Sequence, residues 1–262
     1  MRRLLSLARM FVRIGAMNEM AYRANFWLQL FESILGAATA LATVAVVFSQ
    51  TDTLGGWSRS ELTSLLGIYF VVLGSINLVI APSLNRFMEQ VVDGTLDFTL
   101  TKPVDSQVLV SIHEFRLWKT LDICLGLTVL AIGLVGRVDA VGWVDAVSLV
   151  IALAAGGAII YSFWMVLATL AFWFIRIENI TQIFWAMYIA GRWPIGIYPA
   201  WLKWILTLLV PVAFAVTVPA EAISGRLEYA NLLGAVVLAA VFLFLSRRFW
   251  LFGVRFYSGA SA

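Results

Sequence analysis

The chain has 262 residues, 62% of them hydrophobic and only 13% charged, with a formal net charge of +3. A soluble chain carries roughly 25% charged residues, so that class is excluded. The apolar runs of about 20 residues are continuous rather than alternating, which excludes a transmembrane β-barrel, and the lone Cys124 excludes a disulfide within the chain.

The expectation is an all-α integral membrane protein, one transmembrane domain over residues 1–262. Residues 3–23 read as an amphipathic interfacial helix, with Arg2, Arg9 and Arg13 on one side and Leu4, Leu7, Phe11 and Ile14 opposite. Basic residues continue to Arg23 and the apolar run that follows is too long for a signal peptide. Span 1 is expected over Phe26–Ser49, with Glu32 inside it, followed by a polar loop containing Gly55-Gly56. Span 2 runs over Glu61–Ala81, where Pro82 ends its regular apolar pattern. A polar, turn-rich segment, Arg86–Val104, comes next. Gln107–Lys119 reads as an interfacial helix or the first turns of span 3, Leu117–Val135. Span 4 covers Val144–Ile175, and span 5 reaches only from Ile183 to Gly191.

Residues 192–226 are apolar but broken by Pro194, Pro199, Pro211 and Pro219, so a straight helix is improbable there. A re-entrant helical hairpin on the extracytoplasmic side fits, its non-helical backbone buried in protein or lining a wet cavity. Span 6 is Tyr229–Leu245, closed by Arg247 and Arg248. Six spans put both termini on one side. Of the eighteen Lys and Arg, thirteen then fall inside and five outside, as the positive-inside rule requires.

No chemistry of catalysis is visible. Lys102, Lys119 and Lys203 are the only lysines and none follows a glycine, so there is no P-loop. No metal or nucleophile cluster stands out, and His113 reads as a solvated interface residue. Catalytic residues and metal ligands are therefore expected to be absent, and the chain is not expected to be an enzyme. The acids Glu32, Asp122 and Asp145 fall near span ends, which weakens a proton-driven mechanism. Glu32 is the candidate intramembrane polar site. Basic arms in such a chain face anionic lipid, not nucleic acid. Asn179 begins an N-I-T glycosylation acceptor but is placed inside and discounted. The aromatics around the proline-broken region read as an interfacial belt. Trp193, Pro194, Tyr198, Pro199 and Trp201 are the alternative outer gate or substrate path.

Within the polar segment, Arg86–Val92 can continue span 2 as a helix with Phe87 and Val91 on one face. Gly94 suits a left-handed helix end. Leu96, Phe98 and Leu100 alternate with polar residues, as in an extended strip with one apolar side, and Lys102-Pro103 stiffens the exit.

The stretch Gly94-Thr95-Leu96-Asp97-Phe98-Thr99-Leu100-Thr101-Lys102-Pro103-Val104 resembles a pattern of Gly, spacer, Leu/Ile-Asp, Leu, then basic residue and Pro. That pattern belongs to permease subunits of type-2 ABC exporters, in particular the bacterial ABC-2 family transporter proteins. Ile197–Gly225, with its Tyr-Pro and later Pro-Ala, is similar to the same subfamily, as is the six-span layout. The resemblance implies two cytoplasmic ABC ATPase subunits per complex, which carry ATP and Mg, and a second permease, identical or paralogous. It implies a bacterial inner membrane with both termini cytoplasmic, and export of a hydrophobic or amphipathic substrate. Under it, Leu96 and Phe98 would anchor the ATPase, Asp93, Asp97 and Lys102 would be rim contacts, and Gly94 and Pro103 hinges. Competing readings are an ion-coupled secondary transporter and a non-transporting membrane scaffold or intramembrane enzyme.

Overall fold

The computed structural model describes residues 23–135, 141–174 and 178–257, together with Met10, Phe11, Arg13 and Met17, which are helical. The rest of the expected 3–23 helix lies outside the described residues. Regular structure among the described residues is helical, apart from one isolated bridge between Leu54 and Trp57. Among the described residues five helices are long and apolar enough to cross a membrane: Phe26–Val47, Arg59–Val92, Leu117–Leu134, Trp143–Phe172 and Tyr229–Phe256. We label the helices α1 (Arg23–Val47), α2 (Arg59–Val92), α3 (Asp97–Leu100), α4 (Ser106–Ser111), α5 (Thr120–Leu134) and α6 (Trp143–Thr169). They continue as α7 (Glu178–Tyr188), α8 (Ala200–Trp204), α9 (Val218–Ile223) and α10 (Tyr229–Gly253).

Helix α2 is the most enclosed span, while α1 and α10 leave most of their surface for lipid. A capping box starts α2: the Glu61 N–H donates to Ser58 Oγ at 3.4 Å and the Ser58 N–H to Glu61 Oε2 at 2.8 Å. The apolar pattern ends at Pro82 but the helix does not; it runs on to Val92, as the reading of Arg86–Val92 as its continuation expects. A π-helical turn over Ile76–Ile80 precedes Pro82 and absorbs its ring. The Leu78 carbonyl, which Pro82 cannot satisfy, instead accepts the Arg116 N–H at 2.9 Å. Beside it, Ser83 Oγ donates to the Glu114 carbonyl at 2.9 Å and accepts the Glu114 N–H at 3.0 Å. The proline therefore marks where the chain returning toward α5 is stitched on, not a helix end.

Helices α2 and α5 pack backbone to backbone along a glycine seam. A Cβ on Gly126 would lie 2.6 Å from Val71 N, one on Gly74 2.9 Å from Ile123 N, and one on Gly133 2.6 Å from Ser64 N. One on Gly67 would collide with the backbone nitrogen of Leu130. Gly67 and Gly74, like Gly126 and Gly133, are seven residues apart, so each pair falls on one helix face. Small residues replace hydrophobic drive where lipid is the solvent.

Helix α7 continues through a four-residue 3-10 turn, Ile189–Arg192, and ends beside the middle of α2. There the Tyr188 hydroxyl donates to the Tyr69 carbonyl at 3.1 Å. Ten residues of rise from Arg59 put this level about 15 Å down α2. From the end of α7 the chain goes to the loop before α2: a Cβ on Gly55 would meet Ile197 Cγ2 at 2.7 Å. It then forms a hairpin. One arm is α8 with a π turn, Ile205–Leu209; the other is a π turn, Ala213–Thr217, with α9. Pro211 sits at the apex, and Val210 before it is extended (φ −122°, ψ 90°), as a residue preceding proline must be. The apex reaches back to the α7 end, where a Cβ on Gly191 would meet Val212 Cγ1 at 2.5 Å. The second arm climbs to the α2 start. Arg226 donates to the Gly56 carbonyl at 2.6 Å and pairs with Glu61 Oε1 at 2.9 Å.

Candidate coupling site

The polar segment after α2 is compact and belongs to the bundle. Helix α2 ends in a Schellman motif: the Thr95 N–H donates to the Gln90 carbonyl at 2.9 Å and the Gly94 N–H to the Val91 carbonyl at 3.3 Å. Gly94 has φ +66°, as the sequence predicted for it. The next residues differ from the expectation. Leu96–Leu100 is a helical turn, not an extended strip: Leu100 N–H donates to the Leu96 carbonyl at 3.0 Å and Thr101 N–H to that of Asp97 at 3.0 Å. Asp97 in its first turn favours the positive helix end. Helical spacing, not period two, then decides which side chains go in. Leu96 is 0% exposed and Thr99 is buried, whereas Phe98 is 76% exposed. Leu96 thus cannot be a docking anchor in this conformation; it roots the turn in the core. Asp93, Asp97, Lys102 and Pro103 are exposed around Phe98.

Behind Phe98 the segment is tied to three long helices. Arg247 of α10 donates to Asp105 Oδ1 at 2.9 Å and to Gln107 Oε1 at 3.0 Å. Trp250 Nε1 donates to Ser106 Oγ at 3.3 Å. Tyr161 of α6 shares a hydrogen bond with Ser111 at 2.8 Å and accepts one from Gln107 Nε2 at 3.3 Å. Below, Phe87 of α2 meets Phe172, in the 3-10 turn that follows α6 (5.6 Å between ring centroids), and Trp250 of α10 (5.0 Å), closing an aromatic cluster. None of Asp105, Gln107, Tyr161, Arg247 or Trp250 stood out as a site residue in the sequence. Arg247 there was only a basic residue closing a span.

The electrostatics follow. Burial pushes the Asp105 carboxyl up, but hydrogen bonds from Arg247 and from backbone N–H groups, with the Arg247 charge, outweigh it and hold the group below the usual carboxylate range. His113 is not the solvated residue expected. It is half-buried against the Phe11 ring at 5.1 Å, and its Nδ1 is enclosed without a hydrogen-bond partner. Burial, then the charges of Lys102 and Arg86, push its pKa below the ordinary histidine value. An unfolded histidine takes its proton near pH 6.5 and the folded one resists, so stability is present above that pH and is lost as pH falls through the lowered pKa. The melting temperature of the purified protein should therefore drop from about pH 7.5 to 5.5, and His113→Phe should flatten that slope. The Asp105 contribution is lost only at more acid pH.

The family model for the ABC-2 family transporter protein matches residues 34–261. The chain belongs to this family. It is an ABC-2 type permease, a multi-pass membrane protein with the transport role of that family. No curated protein matches it.

The remaining candidate residues of this permease sit in different surroundings. Pro194 is buried and Trp193 packs against the core; Tyr198 donates back to the Ala190 carbonyl at 2.9 Å. Trp201 and Trp204 are 64% and 66% exposed, as a lipid-interface belt would be. Asp145 sits at a helix start, where its carboxylate accepts the Gly142 N–H at 2.9 Å. Asp122 pairs with Lys119 at 2.9 Å and accepts a hydrogen bond from Ser33. Glu32 lines a cleft near that pair. Among the described residues no group of His, Cys, Asp and Glu is arranged to hold a metal.

Proposed function

We propose that this permease is the membrane-spanning half of an ATP-driven exporter of hydrophobic or amphipathic molecules, with energy entering at the Asp93–Pro103 knuckle. The observation that carries it is the exposed Phe98 on a turn rooted by Leu96 and fastened to α2, α6 and α10. An ATPase seated on Phe98 would push a lever already joined to three spans. Two ABC ATPase subunits supply ATP and Mg, and a second permease, identical or paralogous, completes the path. The membrane is the bacterial inner membrane with both termini cytoplasmic. Four contacts support this orientation: Phe11 with His113 and Arg247 with Asp105 at one end of the bundle, Arg226 with Gly56 and Ile197 with Gly55 at the other. On this reading α7 with residues 189–199 is the sixth crossing and residues 200–223 are a re-entrant hairpin. The hairpin's two ends lie at the same end of the bundle and its apex lies beside Gly191, which supports that count.

A tagged chain pulled from native membranes should bring down a P-loop ATPase. Absence of any ATPase, with proton-coupled transport by the purified chain, would sink the reading in favour of a secondary transporter. Arg247→Ala separates docking from transmission. The pair is 40% and 38% exposed, so its loss costs stability less than about 1 kcal/mol. Transport should nonetheless fall about fivefold while ATPase recovery is unchanged, within the usual 1–3 kcal/mol of coupling.

A further inference from the structure

A cleft of about 140 Å³ lies between α1, α2, α5 and the end of α7. Its lining includes Glu32, Ser33, Gly36, Lys119, Asp122 and Arg192. Two of the four charges satisfy one another, since Lys119 Nζ lies 2.9 Å from Asp122 Oδ2. The other two have no such partner. Among the described residues Glu32 makes no hydrogen bond or ion pair, and Arg192 makes no ion pair; its guanidinium has only the neutral Tyr69 hydroxyl as a hydrogen-bond partner, which leaves its charge unbalanced. Arg192 Nε is enclosed without a hydrogen-bond acceptor, and the guanidinium carbon stands 5.4 Å from the centre of the Tyr69 ring. Tyr69 is about 15 Å along α2, and Asp122 sits opposite Gly74, within the apolar span. Unpaired charges at such depth are costly and mark a ligand or ion pathway.

We infer that this cleft binds the headgroup of a zwitterionic amphiphile, its primary amine on Glu32 and its phosphate or carboxylate on Arg192. One negative and one positive charge facing the same small space, beside an internally neutral pair, match a ligand with both signs. A purely anionic ligand would leave Glu32 unpaired and repelled; a purely cationic one would leave Arg192 so. The space suits a headgroup, and the tail has a path. Leu28, Phe31 and Leu35 are exposed beside Glu32 on the lipid face of α1. A quaternary amine fits less well because it has no N–H to donate to Glu32. The inference rests on the membrane placement of α1, α2 and α5 and is independent of where the ATPase docks.

The test is native mass spectrometry of the purified chain with dihexanoyl phosphatidylethanolamine, dihexanoyl phosphatidylglycerol or hexylamine. The ethanolamine lipid should be retained at least about tenfold better than either single-charge probe, a difference of about 1.4 kcal/mol. Glu32→Gln should erase its advantage over phosphatidylglycerol, and Arg192→Gln its advantage over hexylamine. Gly36→Leu fills the cleft without touching a charge. A Cβ there meets nothing within 4 Å, so this variant should fold normally and lose the lipid. Equal retention of all three probes, a cleft holding only water, or binding indifferent to Gly36→Leu would overturn the proposal. A second arm follows a labelled ethanolamine lipid in membranes containing the partner ATPase. Loss of the adduct on ATP addition identifies it as cargo, and persistence as a resident lipid. Either result sustains the site.

Discussion

Gly67→Val is expected to prevent recovery of folded protein. Its side chain would be driven into the Leu130 backbone, where helix α5 cannot retreat without also breaking the Gly74, Gly126 and Gly133 contacts. Overpacking of a fitted interface costs about 3 kcal/mol, and backbone cannot swing aside as a side chain can. Gly157→Val is the control: it too lies in the middle of a long helix, and a Cβ there meets nothing within 4 Å. Size-exclusion profiles and thermal melts in detergent should show aggregation for the first variant and near-native behaviour for the second. Equal behaviour would mean the seam is not the main contact between α2 and α5.

Phe98→Ala should lower ATPase co-purification about tenfold or more while leaving the melting temperature unchanged. An aromatic side chain that is 76% exposed contributes little to folding, and buried aromatics dominate interfaces when they dock, each worth about 2 kcal/mol or more. Leu96→Ala should do the reverse. A fully buried leucine costs about 2–5 kcal/mol to truncate, so that variant should lose stability first and docking only as a consequence. Unchanged ATPase recovery for Phe98→Ala would remove the proposed anchor.

Much of the architecture was legible because lipid makes apolar runs continuous and long. The five long spans and the helical break at Gly94 follow from hydropathy and from glycine's freedom at positive φ. What escaped was whatever depends on partners distant in sequence. Pro82 reads as the end of the apolar pattern, but nothing near it in sequence shows that Arg116, thirty-four positions away, donates to the carbonyl it orphans. Leu96, Phe98 and Leu100 read as a strip, yet five residues are too few for period two and helical spacing to be told apart without the Gln90–Thr95 closure before them. His113 looks solvated until Phe11 covers it. The glycine seam has a visible seven-residue spacing, but only the antiparallel approach of α5 shows that Gly67 and Gly74 seat against Leu130 and Ile123 while Gly126 and Gly133 seat against Val71 and Ser64. Glu32 reads as an intramembrane acid, whereas Arg192 reads as an outer residue because the expected span 5 ends at Gly191, one position before it.

The most direct measurement is cysteine cross-linking at the knuckle. Phe98→Cys in a Cys124→Ser background, treated with a short bifunctional reagent in native membranes, should yield one adduct between the permease and a P-loop ATPase. That adduct should be absent when the new cysteine replaces Trp201 instead. An ATPase adduct from position 201, or none from position 98 while the ATPase still co-purifies, would contradict the account.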